Sequence, residues 1–511
     1  MILRASAAEA QQPIPEPVVP APAPPSAGTP PPSTGAPAPA TPPAPPPPAP
    51  PPSSASPAPS SSVGGAPVEK SAIANLEERL DEADQRSRIA MRKLELMEEA
   101  AAAKEKARAV VKMGPGGLAV TSADGANTLA LRGVLQVDGR IFVNDEHKLT
   151  DTFIVRRARP ILDATLGKNF TARFMPDFGG GQTLLTDAYV DARAANEFAV
   201  TVGKFKPSVG LERLQAEQAT YFVERGLPTS FVPARDVGVA VHGDLFGNRL
   251  GYSVGLFNGV VDGAATGDVD FDDSKEVTVH LYARPFASTL KDVPPPLLSG
   301  FFIGIAGTRG EKTGTAANPY LPQYRTTGQN VFYSYIADAS ATAPAGSTAV
   351  AAGVHNRLTG HIYVPIGPFA LLGEYVASQQ RVARLASSRL LTHQAWSVTG
   401  VLALTGEDAR FEGIAPKHPF DLSEGHVGAI ELVARYGGVE MDRDSYNDFS
   451  LDTRSARAAS ELGAGLNWYL TRNYRVTGDY FYTEFRSGGA SAAGGRRDLE
   501  QVFLLRNQVA F

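Results

Sequence analysis

Arg157 and Arg159 stand two residues apart, with Arg140 upstream and Arg173 downstream. In an extended chain, residues two apart point the same way. A guanidinium presents a planar fork of donors that matches an oxyanion. The segment 206–235 adds Lys206, Arg213, Arg225 and Arg235, with Ser208, Tyr221, Thr229 and Ser230. Cations lining a narrow, low-dielectric passage focus a field that attracts anions. The same segment also carries Glu212, Glu217 and Glu224. Asp138, Asp163, Asp177, Asp187 and Asp191 fall on the same polar faces as the arginines. These acids blunt the field, so a weakly selective, mixed-charge passage stands beside an anion-selective one.

Other chemistry finds little support. Gly179–Gly181 lacks the Lys-Ser/Thr ending of a phosphate-binding loop and reads as a turn. Asp268, Asp270, Asp272 and Asp273 space like part of a calcium loop, but no Glu closes the set at Val279. The eight histidines are scattered and form no metal motif. No nucleophile, base and orienting partner are spaced as an enzyme needs. The reading is of a non-enzyme with no cofactor and no metal. A net charge of −5 gives no reason to expect nucleic acid. The absence of cysteine excludes a disulfide framework and a thiolate metal site.

The elements that must position the arginines are strands. From about Leu118 the apolar residues recur with period two and continue to the C-terminus. In 131–143, Leu131, Leu135, Val137, Ile141 and Val143 oppose Arg132, Gln136, Asp138 and Arg140. In 169–178, Phe170, Ala172, Phe174 and Phe178 oppose Thr171, Arg173 and Asp177. In 457–470, Leu462, Ala464, Leu466, Trp468 and Leu470 oppose Arg457, Glu461 and Asn467. The last strand, LEQVFLLRNQVAF, puts Phe503, Leu505, Val509 and Phe511 on one face and Glu500, Arg506 and Gln508 on the other. Sixteen strands are predicted: 131–143, 151–166, 169–178, 183–194, 197–205, 236–245, 248–259, 274–286, 299–309, 354–365, 368–380, 389–404, 427–437, 457–470, 473–486 and 498–511. Full charges at mid-strand suit a membrane barrel with lipid outside and water inside. A soluble sandwich would use the same alternation the other way round.

Connection lengths separate the two. One set is mostly tight, as at Gly167-Lys168, Ala195-Asn196, Gly247, Gly367-Pro368 and Thr471-Arg472. The other is mostly long: 206–235, 259–273, 310–353 and 438–456. Tight turns at one end and long loops at the other mark an outer-membrane barrel with its turns in the periplasm. Ala287–Leu298 and Gly406–His426 are long where short is expected.

Upstream, residues 1–10 read as the remnant of a signal peptide, with Ala-Ser-Ala and Ala-Glu-Ala steps. Residues 11–67 are a Pro/Ala/Ser-rich disordered linker. Residues 68–113 form a helix whose Ile73, Leu76, Leu80, Ala83, Ser87, Ala90, Leu94, Met97 and Ala101 step by three and four. The pattern reads as a short coiled-coil seam, with a single amphipathic helix lying on a neighbour as the alternative, and Gly114–Gly117 is expected to end the helix. The barrel domain is placed at 118–511.

Several blocks carry a resemblance. RRARPILDATLGKNF (156–170), VTVGKFKPSVGLERL (200–214), ERGLPTSFVPARDVGVAVHGDL (224–245), GYSVGLFNG (251–259), LLGEYV (371–376), LTGEDARFEGIAPKHPFD (404–421), ELVARYGGVEMD (431–442) and GLNWYLTRNYRV (465–476) resemble the phosphate-selective porin O and P family, in the family's order. The resemblance implies a homotrimer of sixteen-stranded barrels in a Gram-negative outer membrane, each with its own pore. It implies that the third long loop, 206–235, folds inward and narrows the lumen. Phe511, an aromatic closing an alternating strand, resembles the assembly signal of bacterial outer-membrane β-barrels.

The function expected is passive diffusion of small anions, phosphate or polyphosphate among them. Arg140, Arg157, Arg159, Arg173, Lys206, Arg213, Arg225, Ser230 and Arg235 are the expected pore-lining and anion-binding residues. The alternative is a general, weakly selective porin. Its periplasmic coiled coil would then anchor the outer membrane to peptidoglycan or a periplasmic partner.

Overall fold

The computed structural model describes residues 68–106, 108–144, 149–265, 270, 272–287, 298–338, 344–446, 448–451, 455–490 and 496–511. The expected signal remnant, the Pro-rich linker and Asp268 lie outside the described residues. The chain divides into a helical unit and a β unit.

The helical unit contains α1 (Val68–Lys106). Pairs one turn apart, Arg86–Glu82 at 3.3 Å and Arg88–Asp84 at 2.7 Å, support it on its exposed surface. Ile73, Leu76, Leu80, Leu94 and Met97 are exposed along it. The helix stops at Lys106, short of the glycines expected to end it. Gly114–Gly117 instead form the turn between β1 (Val110–Gly114) and β2 (Gly117–Thr121). Gly117 sits at φ 91°, in the left-handed region.

The β unit then runs through β3 (Asn127–Phe142), β4 (Thr152–Leu166), β5 (Phe170–Asp177), β6 (Leu184–Ala195) and β7 (Phe198–Phe205). Next come β8 (Asp236–Leu245), β9 (Leu250–Phe257), β10 (Glu276–Ala283) and β11 (Phe302–Thr313). A small hairpin, β12 (Tyr324–Arg325) with β13 (Val331–Tyr333), stands apart from the main sheet. The wall resumes with β14 (Val350–Ile366), β15 (Phe369–Arg384), β16 (Ser387–Ala403), β17 (Ala429–Glu440), β18 (Ala458–Tyr469), β19 (Tyr474–Ala490) and β20 (Arg496–Ala510).

Each wall strand pairs antiparallel with the next, and β20 pairs back onto β3 from Val502↔Phe142 to Ala510↔Val134. Sixteen strands therefore close into a barrel, the number and order expected from the sequence. Closure leaves the wall no free edge. Below the end of β20, the edge of β3 is taken up by β2, from Leu118↔Leu131 to Thr121↔Thr128.

The two faces of the wall are inverted relative to a soluble core. Leu135, Ile141, Phe153, Leu162, Phe174, Leu256, Ile305, Leu462, Phe503 and Leu505 are exposed. Gln136, Asp138, Arg159, Glu431, Thr477 and Arg506 are buried at 2% or less. An apolar outer band with charge inside is stable only when the outer phase is not water. No helix among the described residues is long and apolar enough to cross a membrane, so any crossing is made by the strands.

Turn lengths follow the expected asymmetry with one addition. β14 and β15 are joined by Gly367-Pro368, and β6 and β7 by Asn196-Glu197. At the opposite end 206–235, 258–275, 314–349 and 441–457 are long, but β15 and β16 are joined by only Leu385-Ala386.

Candidate functional site

The arginines of β4 owe their placement to a break in the pairing. Gln136 pairs with Arg157 and Val137 with Val155, so Arg156 is an extra residue in β4. Such a bulge shifts the alternation by one. Before it, Phe153 and Val155 point out; after it, Pro160 and Leu162 do. Arg156 and Arg157 consequently both turn inward, 8% and 1% exposed. Strict alternation in phase with Arg157 and Arg159 assigns Arg156 to the lipid face, so alternation alone does not reveal it as lumenal. The change of phase between Val155 and Pro160 was the available signal.

Segment 206–235 supplies the partners. It is buried almost throughout, and its backbone bonds to the far wall. Leu211 N donates to Glu374 Oε1 of β15 at 2.8 Å, and Val223 N donates to Asp479 Oδ2 of β19 at 2.6 Å. Asn467 of β18 donates to the Tyr221 carbonyl at 2.8 Å, and Arg475 of β19 to the Thr220 carbonyl at 3.0 Å. Gln508 of β20 donates to the Gln218 carbonyl at 3.1 Å. Four wall strands on the far side thus hold one segment that leaves the barrel between β7 and β8.

Within that arrangement Glu217 meets Arg157 at 2.9 Å, Arg225 at 3.1 Å and Arg159 at 3.7 Å. Glu224 meets Arg156 at 2.8 Å and Arg140 at 3.1 Å. Arg159 also pairs with Asp177. Five guanidiniums therefore face three carboxylates, and the local excess is positive. Burial pushes the Glu224 carboxyl up, but Arg156 and Arg140 outweigh it and hold it below the usual carboxylate range. Glu217 is held low in the same way, against its burial, by Arg157, Arg225 and Arg159. Burial is also the main cause that brings Arg213 down to about 9, with Arg225 adding to it.

The remaining expected residues are spread. Lys206 Nζ donates to the Gln215 carbonyl at 3.0 Å, and Arg213 to the Thr229 carbonyl. Arg225 also donates to the carbonyls of Glu212 and Gln215, at 2.6 and 2.5 Å. Arg235 pairs with Asp187 at 2.7 Å. Arg173 is not brought to the cluster. It pairs with Asp163 at 2.7 Å, alongside Arg132. Six of the expected cations, Arg140, Arg157, Arg159, Arg173, Arg225 and Arg235, are thus held in ion pairs with the acids that the sequence places beside them.

Two further segments enter from opposite ends, and neither was anticipated. The 314–349 loop carries the β12–β13 hairpin. Near its tip, Thr326 donates to Glu500 at 2.6 Å and Thr327 to Glu461 at 2.8 Å. The 404–428 connection, long where a tight turn was expected, buries Ala409, Phe411 and Ile414. The carbonyl of Phe411 accepts from Gln215 at 2.8 Å, and that of Arg410 accepts from Tyr221 at 3.1 Å.

Between 206–235 and the hairpin lies a pocket of about 470 Å³, its open mouth included. It is lined by Arg156, Arg213, Arg225, Arg325 and Glu224, with Thr229, Ser230, Thr326 and Thr327 among its hydroxyls. Arg325 donates to the Gln329 carbonyl at 3.0 Å and to Gln323 Oε1 at 3.3 Å. No salt bridge to Arg325 occurs among the described residues. Opposite, Arg435 lies between the rings of Phe222 and Phe481, at 4.6 and 4.8 Å.

At the end of the chain, Phe511 exchanges both backbone hydrogen bonds with Gly133, at 2.8 and 3.0 Å. A Cβ on Gly133 would collide with the Phe511 ring, so the glycine makes room for it.

Residues 130–511 match the family model for phosphate-selective porin O and P. The chain belongs to this family. No curated protein is a significant match. Among solved structures, it is similar to the anion-selective porin from Comamonas acidovorans, at 12% identity and a TM-score of 0.46, covering 75% of this chain and 100% of that one. It is similar to the outer membrane channel DcaP of Acinetobacter baumannii, at 10% identity and a TM-score of 0.46, covering 76% and 98%. It is also similar to the trimer form of OmpT of Vibrio cholerae, at 11% identity and a TM-score of 0.46, covering 76% and 100%. The porin is an outer-membrane channel of a Gram-negative bacterium.

Proposed function

We propose that this porin passes small anions by passive diffusion, through a lumen narrowed by 206–235 and by the β12–β13 hairpin. The reading rests on the Arg156–Arg213–Arg225–Arg325 pocket, where cations outnumber the single carboxylate. In a narrow aqueous site walled by low-dielectric protein, such an excess raises the local anion concentration. Phosphate and polyphosphate are the solutes the family points to. Arg140 and Arg157 each share a carboxylate with a second guanidinium and add to the positive excess. Arg159, Arg173 and Arg235, each matched to an aspartate, contribute less. Ser230 offers its hydroxyl to a partly desolvated oxyanion, whereas the hydroxyls of Thr229, Thr326 and Thr327 already donate to the Gly226 carbonyl, Glu500 and Glu461.

In this reading the tight turns and α1 face the periplasm, and three copies assemble. The exposed apolar seam of α1 supports a parallel association of helices from the three copies. A second role follows from the same seam: α1 ties the outer membrane to peptidoglycan or a periplasmic partner.

Planar-bilayer conductance of the purified protein under a salt gradient tests the proposal. An anion-directed reversal potential, with block by added phosphate, is the expected result. A near-zero reversal potential without block would leave a general porin. A folded barrel that carries no current would overturn the channel reading for this lumen.

A further inference from the structure

The lumenal wall holds a pair of histidines that the anion pathway does not use. His280 on β10 and His361 on β14 flank β11, and their Nε2 atoms approach to 3.2 Å. They meet over Gly304, where a Cβ would crowd both Nε2 atoms. Both side chains are buried, at 1% and 5% exposure. Phe302 stacks on His361 with 5.5 Å between centroids and 12° between planes, and Tyr282 lies 5.0 Å from His280. Both rings are thus held in place. Ser208 Oγ is 2.8 Å from His280 Nδ1, which reserves the Nε2 of that ring for another partner.

We propose that His280 and His361 form a two-imidazole site for zinc or a similar divalent transition metal. Two imidazole nitrogens bound tetrahedrally at 2.0–2.1 Å from zinc stand about 3.3 Å apart, close to the observed separation. Imidazole is a good donor for such ions and a poor one for magnesium or calcium. The Ser208 hydroxyl orients one ligand from behind, as outer partners do in metal sites. No set of three or more His, Asp and Glu ligands converges among the described residues. Water or a passing anion would therefore fill the remaining positions. Because Ser208 belongs to 206–235, occupancy would pin the base of that segment to the wall.

The test uses the full-length porin in detergent and in bilayers, with Zn²⁺ alone as the probe. Chelator competition should show one site per chain, and X-ray absorption should show two imidazoles near 2.0 Å. His280→Gln and His361→Gln should each weaken binding at least tenfold. Zn²⁺ should also change single-channel conductance in the wild type but not in either variant. Exchanging the separate pair His418 and His426, outside the barrel wall strands, for Gln should change nothing. Absence of binding at 1 mM Zn²⁺, or retained binding in both single variants, would overturn the proposal. So would loss of binding only in the His418/His426 variant. If neither variant folds, the absorption spectrum of the wild type decides. A shell without imidazole sinks the site whatever the channel's selectivity turns out to be.

Discussion

At the scale of residues, the lumen separates cations matched to a carboxylate from others, such as Arg325, that are not. Arg159, 2% exposed, is matched to Asp177, which is fully buried. Arg159→Met removes the guanidinium and leaves that carboxylate buried. The expected cost is on the order of 3 kcal/mol, read as a lower temperature for the folded-to-unfolded gel shift. Arg325, which has no salt bridge among the described residues, behaves differently. Arg325→Ala should leave that temperature nearly unchanged and move the reversal potential towards zero. The pH response follows from Glu217 and Glu224, both held below the ordinary carboxylate range in the folded protein. An unfolded Glu takes up protons near pH 4.3, roughly, whereas these two do not. Their stabilisation is therefore complete above about pH 5. It declines as pH falls below the ordinary value and is exhausted only at the lower folded one. Thermal scans from pH 7 to pH 3 should show this decline, and Glu224→Gln should flatten it.

At the scale of elements, the strands were legible and the insertions were not. Lipid and water impose alternation on every wall strand, so Phe503, Leu505 and Val509 announce themselves beside Arg506 and Gln508. A bulge hides from this logic, and Arg156 was lost to it while Arg157 and Arg159 were found. The β12–β13 hairpin was hidden for another reason. Its Tyr324, Phe332 and Tyr333 are buried against 206–235 and the wall rather than against lipid, and so carry no period. The acids of 206–235 oppose the arginines, as their place in the sequence suggests, but as direct partners of named guanidiniums. Replacing 323–334 with a short Gly-Ser linker should raise single-channel conductance severalfold. It should also remove the anion preference that Arg325 supports. Unchanged conductance would mean that the hairpin does not lie in the ion path.

At the scale of the whole molecule, the wall and α1 answer to different forces. The barrel closes through backbone pairing, whereas α1 exposes Leu76, Leu80 and Leu94 in a single chain. Deleting residues up to 109 should leave conductance per barrel unchanged. Crosslinking should show whether three copies still associate, and envelope assays whether α1 tethers the membrane.

The meeting of β2 and β20 on one edge of β3 carries a mechanical consequence. Phe511 pairs at Gly133, and two residues further along the same edge Leu118 pairs at Leu131. The last strand thus arrives against an end-stop already built by the chain that precedes β3. A slip of β20 towards the turn end would drive Phe511 into Gly117 and Leu118. Asn473, in the turn before β19, clamps the junction by donating to both the Pro115 and Ala510 carbonyls, at 2.8 and 2.6 Å. The stagger of all sixteen strands is fixed once this seam is set. The β1–β2 hairpin is in effect a gauge block for the diameter of the pore, and a two-residue deletion within it would be felt around the whole circumference.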